Sequence, residues 1–267
     1  QWRDAISAEA TRGTREDYER AVNSLLVQQI INDETEPVVA GATLVTDRPE
    51  KLQDAPGKED LVTLGMELRN RLYAARSELL IITPYLVPRE SGIETVERLR
   101  ARNVRIVVVT NSLASNNHLA VHSGYARYRK RMLKAGVELY EIKADAVGEG
   151  DPDAADPERL TLHTKAVVID RNTIFVGSLN LDPRSLILNS EMGLFIESEA
   201  AGEQFVTTVE QSLPAVTYRV SLDEHDSLIW TYEHEGVVEV ETTEPLASLW
   251  QRFLVSFYGM LPIESQL

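Results

Sequence analysis

Between residues 61 and 142 the apolar positions change period several times. Leu61, Leu64, Leu68 and Leu72 recur at helical spacing, and the run LLIIT over 79–83 then reads as a short strand buried on both faces. Ser91, followed three residues later by Glu94, has the pattern of a capping box opening a helix to about Arg102. RIVVVT over 105–110 is a second buried strand, a helix runs on to Gly136, and VELYEI over 137–142 is a third strand. Continuous apolar strands alternating with helices predict the α/β class, with a mixed, mainly parallel sheet flanked by helices.

Further on, HTKAVVID over 163–170 is β-branched and apolar, Asp170-Arg171-Asn172 is turn chemistry, and TIFV over 173–176 reads as the returning strand of a hairpin. A helix is expected over 199–213, and TYRVSL, LIWTYE and VVEVE then suggest short antiparallel strands. Leu246, Leu249, Trp250, Phe253, Leu254, Phe257 and Leu261 form a broad helical stripe. Such a stripe docks a terminal helix on its own core or on another half, or lays Trp and Phe into a lipid interface; docking is the favoured reading. Upstream, 1–36 carries one helical pattern that ends before Pro37, 38–46 is strand-like up to the break at Asp47-Arg48-Pro49, and 53–60 is a solvated loop. The expected organisation is a helical extension or inter-module linker over 1–41 and a module over 42–267. The chain opens Gln1-Trp2 without an initiator Met, which points to a fragment of a longer protein, with processing as the alternative.

With 267 residues, 43% of them apolar, the chain can bury a sizeable core. It has no Cys, so disulfides and thiolate metal sites are excluded. A net charge of −15 and a pI near 4.8 disfavour a sequence-independent grip on nucleic acid. One helix face does carry Arg127, Lys130, Arg131 and Lys134, which reads as a solvated face rather than as an anionic-lipid contact. The acidic stretch 145–158 is broken by Gly and Pro and reads as a loop. Asp151, Asp153 and Asp156 lack the Gly and Glu spacing of a calcium loop, so no metal and no cofactor are expected.

The chemistry concentrates in 160–198. On a strand, residues two apart share a face, so His163 and Lys165 project together, whereas Asp170 leaves that face or sits in the turn. Ser178 and Asn180 are again two apart, behind Gly177, where backbone can approach a ligand closely. A neutral imidazole can attack phosphorus, a Lys can hold phosphate oxygens, and Ser and Asn can add neutral donors. Glu191 is the carboxylate expected to fix the His163 tautomer. Tyr85 and Asn111 follow the carboxyl ends of two strands, where ligands gather in such sheets, and are second-tier, substrate-lining candidates.

HTKAVVID, GSLNLDPRS and NSE together resemble the HKD signature of the phospholipase D superfamily, and the surrounding wording is most similar to the second half of bacterial cardiolipin synthases of the C type. TPYLVP, TNSLASNN, HSGYARYRKRMLKAGVELYE and SLWQRFLVSFYGMLPIE extend the likeness over 42–267. The resemblance implies a metal-free phosphohistidine mechanism. In it His163 is nucleophile or general acid, Lys165, Ser178 and Asn180 bind the phosphoryl group, and Asp170 and Glu191 support the site. It also implies a phospholipid substrate, phosphatidylglycerol or phosphatidylethanolamine, with no nucleic acid, and a peripheral place on the bacterial inner membrane, on its cytoplasmic side. The chain departs from the family in holding one HKD motif where such enzymes use two, since His118, His122, His225 and His234 lack the HxK pattern. A second HKD module, in cis or by homodimerisation, is therefore an expected partner. A homodimeric nuclease and a module inert alone are the alternatives.

Overall fold

The computed structural model describes residues 38–52, 63–146 and 160–264, with isolated positions 22, 23, 28 and 32. The expected helix over 1–36, the loop over 53–60 and Asp151, Asp153 and Asp156 fall outside the described residues or almost so. The fold is that of the compact unit Ala40–Leu267. In chain order it contains β1 (Gly41–Thr46), α1 (Leu64–Ala74), β2 (Glu78–Ile82), α2 (Arg89–Arg100), β3 (Arg105–Asn111), α3 (Leu119–Lys134) and β4 (Glu138–Ile142). There follow β5 (Ala166–Ile169), β6 (Thr173–Gly177), β7 (Met192–Glu197), α4 (Glu199–Val216), β8 (Thr217–Leu222), β9 (Leu228–His234), β10 (Val237–Glu241) and α5 (Leu249–Gly259).

The ten strands among the described residues join one sheet in the order β1-β7-β6-β5-β2-β3-β4-β8-β9-β10. The α/β class and the flanking helices are as expected, but the parallel part is narrower than "mainly parallel". Among the described residues only β2–β3 and β3–β4 pair in parallel, each across a helical crossover, and the other seven pairings are antiparallel. The reason is burial: β5 is apolar at every position because both its faces are covered, although it runs antiparallel to β2 and β6. A continuous apolar run reports two covered faces, which parallel pairing is one way to obtain.

Side-chain alternation divides the core. Leu79, Ile81, Ile106, Val108 and Phe175 face α1, α2 and α3, while Leu80, Ile82, Val107, Val109 and Ile174 face Val206 and Leu213 of α4. Helix α2 starts earlier than the capping-box pattern suggests. Pro88, with φ of −66°, precedes its first turn, and Ser91 lies inside the helix. The basic face of α3 is an ion-paired surface: Arg127 meets Glu264 at 2.9 Å, Arg131 meets Glu90 at 2.7 Å and Lys134 meets Asp226 at 2.6 Å. α5 packs on α3, yet Leu249, Trp250, Phe253 and Phe257 remain exposed on its other side. Beneath α3, Arg129 is buried against Glu141 at 3.0 Å and Glu244 at 2.8 Å, and Tyr125 and Trp230 complete Glu141 with hydrogen bonds of 2.6 and 2.8 Å. A buried carboxylate survives only when its oxygens are satisfied in this way.

The β5–β6 hairpin turns through Asp170 and Arg171, both with positive φ, and Asn172 N–H closes it on the Ile169 carbonyl at 3.0 Å. This is the primed turn whose twist suits a two-residue hairpin. Asp170 Oδ1 and Oδ2 accept from the backbone N–H groups of Arg76, Ser77 and Glu78 and from Ser77 Oγ, at 2.7–3.0 Å. The hairpin is thereby pinned to the start of β2. Arg171 reaches Glu78, Glu203 and Glu210, and Arg105 binds Glu78, Glu138 and Glu210, so the same end of the sheet is sewn together by charge.

Asp170→Ala removes a charged acceptor from four donors and places a less tolerant residue at positive φ, so the unfolding free energy at neutral pH is expected to fall by about 2–3 kcal/mol. An unchanged denaturation midpoint would refute the clamp. Burial pushes the Asp170 carboxyl up, but its backbone and Ser77 donors outweigh this and hold it below the ordinary value. Its contribution is therefore present above the unfolded pKa of about 3.9 and is lost as pH falls through the lower folded value. The difference between wild type and Asp170→Ala should shrink in that acid window.

Candidate functional site

His163 and Lys165 lie just before β5, at the end of the sheet opposite Asp170 and beside the carboxyl ends of β2 and β3. The shared-face expectation is met. Lys165 Nζ donates to the His163 carbonyl at 2.8 Å and lies 3.3 Å from Nε2 and 3.4 Å from Nδ1 of its ring. The β6 ladder reaches Lys165, whose carbonyl accepts from Gly177 N–H at 3.2 Å, but His163 lies further before the strand and its segment needs another hold. Asn111 supplies it: its Oδ1 accepts from Leu162 N–H at 2.8 Å and its Nδ2 donates to the Leu162 carbonyl at 3.1 Å. Asn111 is 1% exposed and is itself braced by Ser115 Oγ at 3.2 Å. It was expected to line a substrate, but the structure makes it a clamp on the segment that carries His163.

Ser178 is exposed just past β6. Its Oγ donates to Glu191 Oε2 in a very short hydrogen bond and accepts from Met192 N–H at 3.1 Å. Glu191 also accepts from Asn189 Nδ2 at 3.2 Å. Its carboxylate is thus engaged with Ser178 and Asn189 and makes no hydrogen bond to the His163 ring. Asn180 is half-buried, donates to Ser185 Oγ at 3.3 Å, and keeps its Oδ1 without a protein partner. Gly177 serves a close approach, but to protein: a Cβ there would lie 2.5 Å from the Met192 carbonyl, on the strand that brings Glu191 to Ser178. Tyr85 is half-buried after β2, with its hydroxyl donating to Asn117 Oδ1 at 2.7 Å and its ring edge-on to His118 at 5.2 Å. His122 is buried beside Arg129, and His225 and His234 belong to the β8–β9–β10 hairpins. Among the described residues no cluster of potential ligands could hold a metal ion.

Three further residues support the site. Asp182 is buried and accepts from Ser185 N–H at 2.8 Å, capping the π-helical turn Arg184–Leu188. An Asp followed by Pro and, three residues on, Ser is a cap pattern, so a signal was present. Asp47 and Lys51 form a buried pair at 2.5 Å. Asp47 accepts from Leu64 N–H at 2.7 Å and Glu191 N–H at 3.1 Å, and Lys51 donates to the Ser185 carbonyl at 3.2 Å. By sequence Asp47 reads as an ordinary strand breaker; nothing local marks a contact made so far along the chain.

Burial lowers the Lys165 pKa below its ordinary value, against the opposing pull of Glu191 and Asp182. Burial raises Asp182, and burial likewise raises the Tyr85 phenol, with the Asp182 charge adding to it. The site is therefore a partly desolvated cation flanked by carboxylates, open on the side where His163 and Ser178 are exposed. An arriving phosphate would supply the counter-charge that Lys165 lacks there.

Residues 68–213 match the family described as "Cardiolipin synthase, PLD-like domain". The chain is 34% identical over 236 residues to cardiolipin synthase C of Escherichia coli (strain K12), covering 87% of this chain and 50% of that protein. It is 29% identical over 174 residues to cardiolipin synthase A of Proteus mirabilis (strain HI4320), covering 65% and 32% respectively. The chain thus spans half of the first relative and about a third of the second. Among solved structures, the phospholipase D family member Nuc from Salmonella typhimurium aligns with 68% of this chain and 99% of its own, at 14% identity and a TM-score of 0.47.

Two measurements test the site's construction. Asn111→Leu leaves the Leu162 N–H and carbonyl unpaired, and a loss of stability of about 2–4 kcal/mol is expected in chemical denaturation; a loss near zero would dismiss the clamp. Side-chain NMR should find Lys165 titrating below about 10.4, and lower still in Glu191→Gln, which removes an opposing charge. A rise in that variant would contradict the electrostatic account.

Proposed function

The chain belongs to the cardiolipin synthase, phospholipase D-like domain family, and from that membership we propose that it is the second-motif half of an enzyme that transfers phosphatidyl groups between phospholipids. The observation that carries the reading is the exposed His163 ring with the Lys165 ammonium 3.3 Å from its Nε2, on a segment fixed by a buried amide.

In the proposed cycle, an unprotonated nitrogen of one active-site histidine attacks the phosphorus of a phosphatidyl donor. A P–N bond forms as the P–O bond to the head-group alcohol breaks, and the departing oxygen takes a proton from a second histidine. An acceptor alcohol then gives its proton back to the second histidine and attacks phosphorus, releasing the first. With phosphatidylglycerol as donor and acceptor the products are cardiolipin and glycerol; with water as acceptor the product is phosphatidic acid. His163 fills one of the two histidine roles. In this reading Lys165 neutralises the phosphoryl oxygens, and Ser178 and Asn180 donate to them, Ser178 by turning from Glu191. Glu191 and Asp182 hold the loops and set the charge around Lys165, and Asp170 supports the hairpin from the far end of β5.

The second histidine comes from another HKD module, either elsewhere in the same protein or in a second copy of this chain. Contact with lipid is proposed as peripheral, at the cytoplasmic face of a bacterial inner membrane; among the described residues no helix is long and apolar enough to cross a membrane. A nuclease role is disfavoured by the net charge of −15 and by the ion pairing of the basic face of α3.

The test is turnover of phosphatidylglycerol vesicles, alone and with a complementing HKD module, with lipid products identified by mass spectrometry. Cardiolipin or phosphatidic acid is expected, and His163→Ala should lower its formation by at least about a thousandfold while the fold persists. Undiminished product in that variant would overturn the assignment.

A further inference from the structure

Helices α1 and α2 lie on the same side of the sheet without closing on each other. The space between them is a cavity of about 390 Å³, floored by β2 and β3, walled by Leu72 of α1 and Val96 of α2, and ended by Leu181, Leu186 and Ile187. At its outer edge Thr95 Oγ1 donates to the Tyr73 hydroxyl at 3.2 Å. Protein interiors hold few voids larger than a water, and an apolar cavity of roughly 150 Å³ stays dry and takes a benzene-sized guest. A space more than twice that size, with an apolar lining, suits a longer hydrocarbon and offers water few partners.

Its position relates it to the phosphoryl site. Leu86 and Leu181 form a parallel bridge, and Val87 N–H donates to the Leu181 carbonyl at 2.8 Å. Along these two short segments the neighbours alternate: Tyr85 and Asp182 belong to the site, whereas Leu86 and Leu181 line the cavity. The π-helical turn repeats the division, with Ser185 toward Asn180 and Leu186 and Ile187 toward the cavity. The rim is apolar and cationic. Met66 and Ile187 are 37% and 52% exposed, Arg69 makes no ion pair among the described residues, and Arg89 stands at the mouth with only a 3.6 Å approach to Glu264.

We infer that this cavity is an acyl-chain site, which takes one hydrocarbon tail of the phospholipid whose phosphate is handled at His163 and Lys165. The identity of the chain as a substrate tail rests on the function proposed above; the capacity for a hydrocarbon rests on the cavity alone. An apolar interior behind an arginine-bearing rim matches an amphiphile with an anionic head.

The experiment is equilibrium binding of the fluorescent fatty acid cis-parinaric acid to the whole chain, followed by displacement with myristoyl lysophosphatidylglycerol and with myristate. One saturable site per chain is expected, displaced more readily by the lysophospholipid. Val96→Phe and Leu72→Phe, which fill the space from opposite walls, should each weaken binding at least tenfold without lowering the melting temperature. Absence of saturable binding by the folded wild type, or equal affinity in both filled variants, would overturn the site. Displacement by myristate but not by the lysophospholipid would overturn its assignment to a substrate tail. Because no turnover is read, a failure here and a failure of the proposed reaction are separate results.

Discussion

The two hydrogen bonds between Asn111 and the backbone of Leu162 solve the problem on which the site depends. A reactive histidine has to be exposed, and an exposed segment outside the strand has no ladder to fix it. The buried amide supplies a donor and an acceptor in a planar arrangement that imitates a neighbouring strand. The same device recurs around the site. Asp47 receives the Glu191 N–H, Lys51 holds the Ser185 carbonyl, Asp182 caps the turn that carries Ser185, and Thr83 Oγ1 donates to the Tyr85 carbonyl at 2.9 Å. Each irregular segment that presents a polar side chain is tied down by a polar side chain from beneath.

These ties also shape the electrostatics. Asp182 and Glu191 are buried and sit close enough to Lys165 to oppose the loss of its charge, while Asp47 is neutralised by Lys51. The carboxylates are committed to backbone and hydroxyl donors, so they are poorly placed to pair directly with the ammonium. The result is a cation that the protein supports without saturating, which suits reversible binding of an anion better than a closed ion pair would.

Much of this was legible in the chain. The β5–β6 hairpin, the common side of His163 and Lys165, and the different job of Asp170 follow from period-two alternation and turn chemistry, which are local. The parallel extent of the sheet was overread because Ala166, Val167, Val168 and Ile169 advertise burial on both faces and say nothing of direction. Asn111 was found by its place after β3 but given the wrong task, since position in a strand reveals nearness to a site and not whether the side chain points out or down. Asp47 and Lys51 carry no such signal for a stronger reason: the contacts that tie them to the site, to Glu191 N–H and the Ser185 carbonyl, lie over a hundred residues away, and only the assembled sheet brings them near. Ser91 shows the converse case, where a local capping pattern lost to the fixed φ of Pro88.

The pairing of β1 with β7 has a consequence for how the molecule comes into being. β1 lies at the margin of the sheet, and the Asp47–Glu191 bond spans 144 residues. At a synthesis rate of about 5–20 residues per second, roughly 7–30 s separate the appearance of the two partners on the ribosome. During that interval β1 is a strand without a neighbour, and the sheet it will join does not yet present β7. Loop closure over such a distance is slow and comes late. The contact that secures Glu191 is therefore made near the end of folding, and a nascent or partly assembled chain holds its histidine and lysine before it holds the frame that orders them.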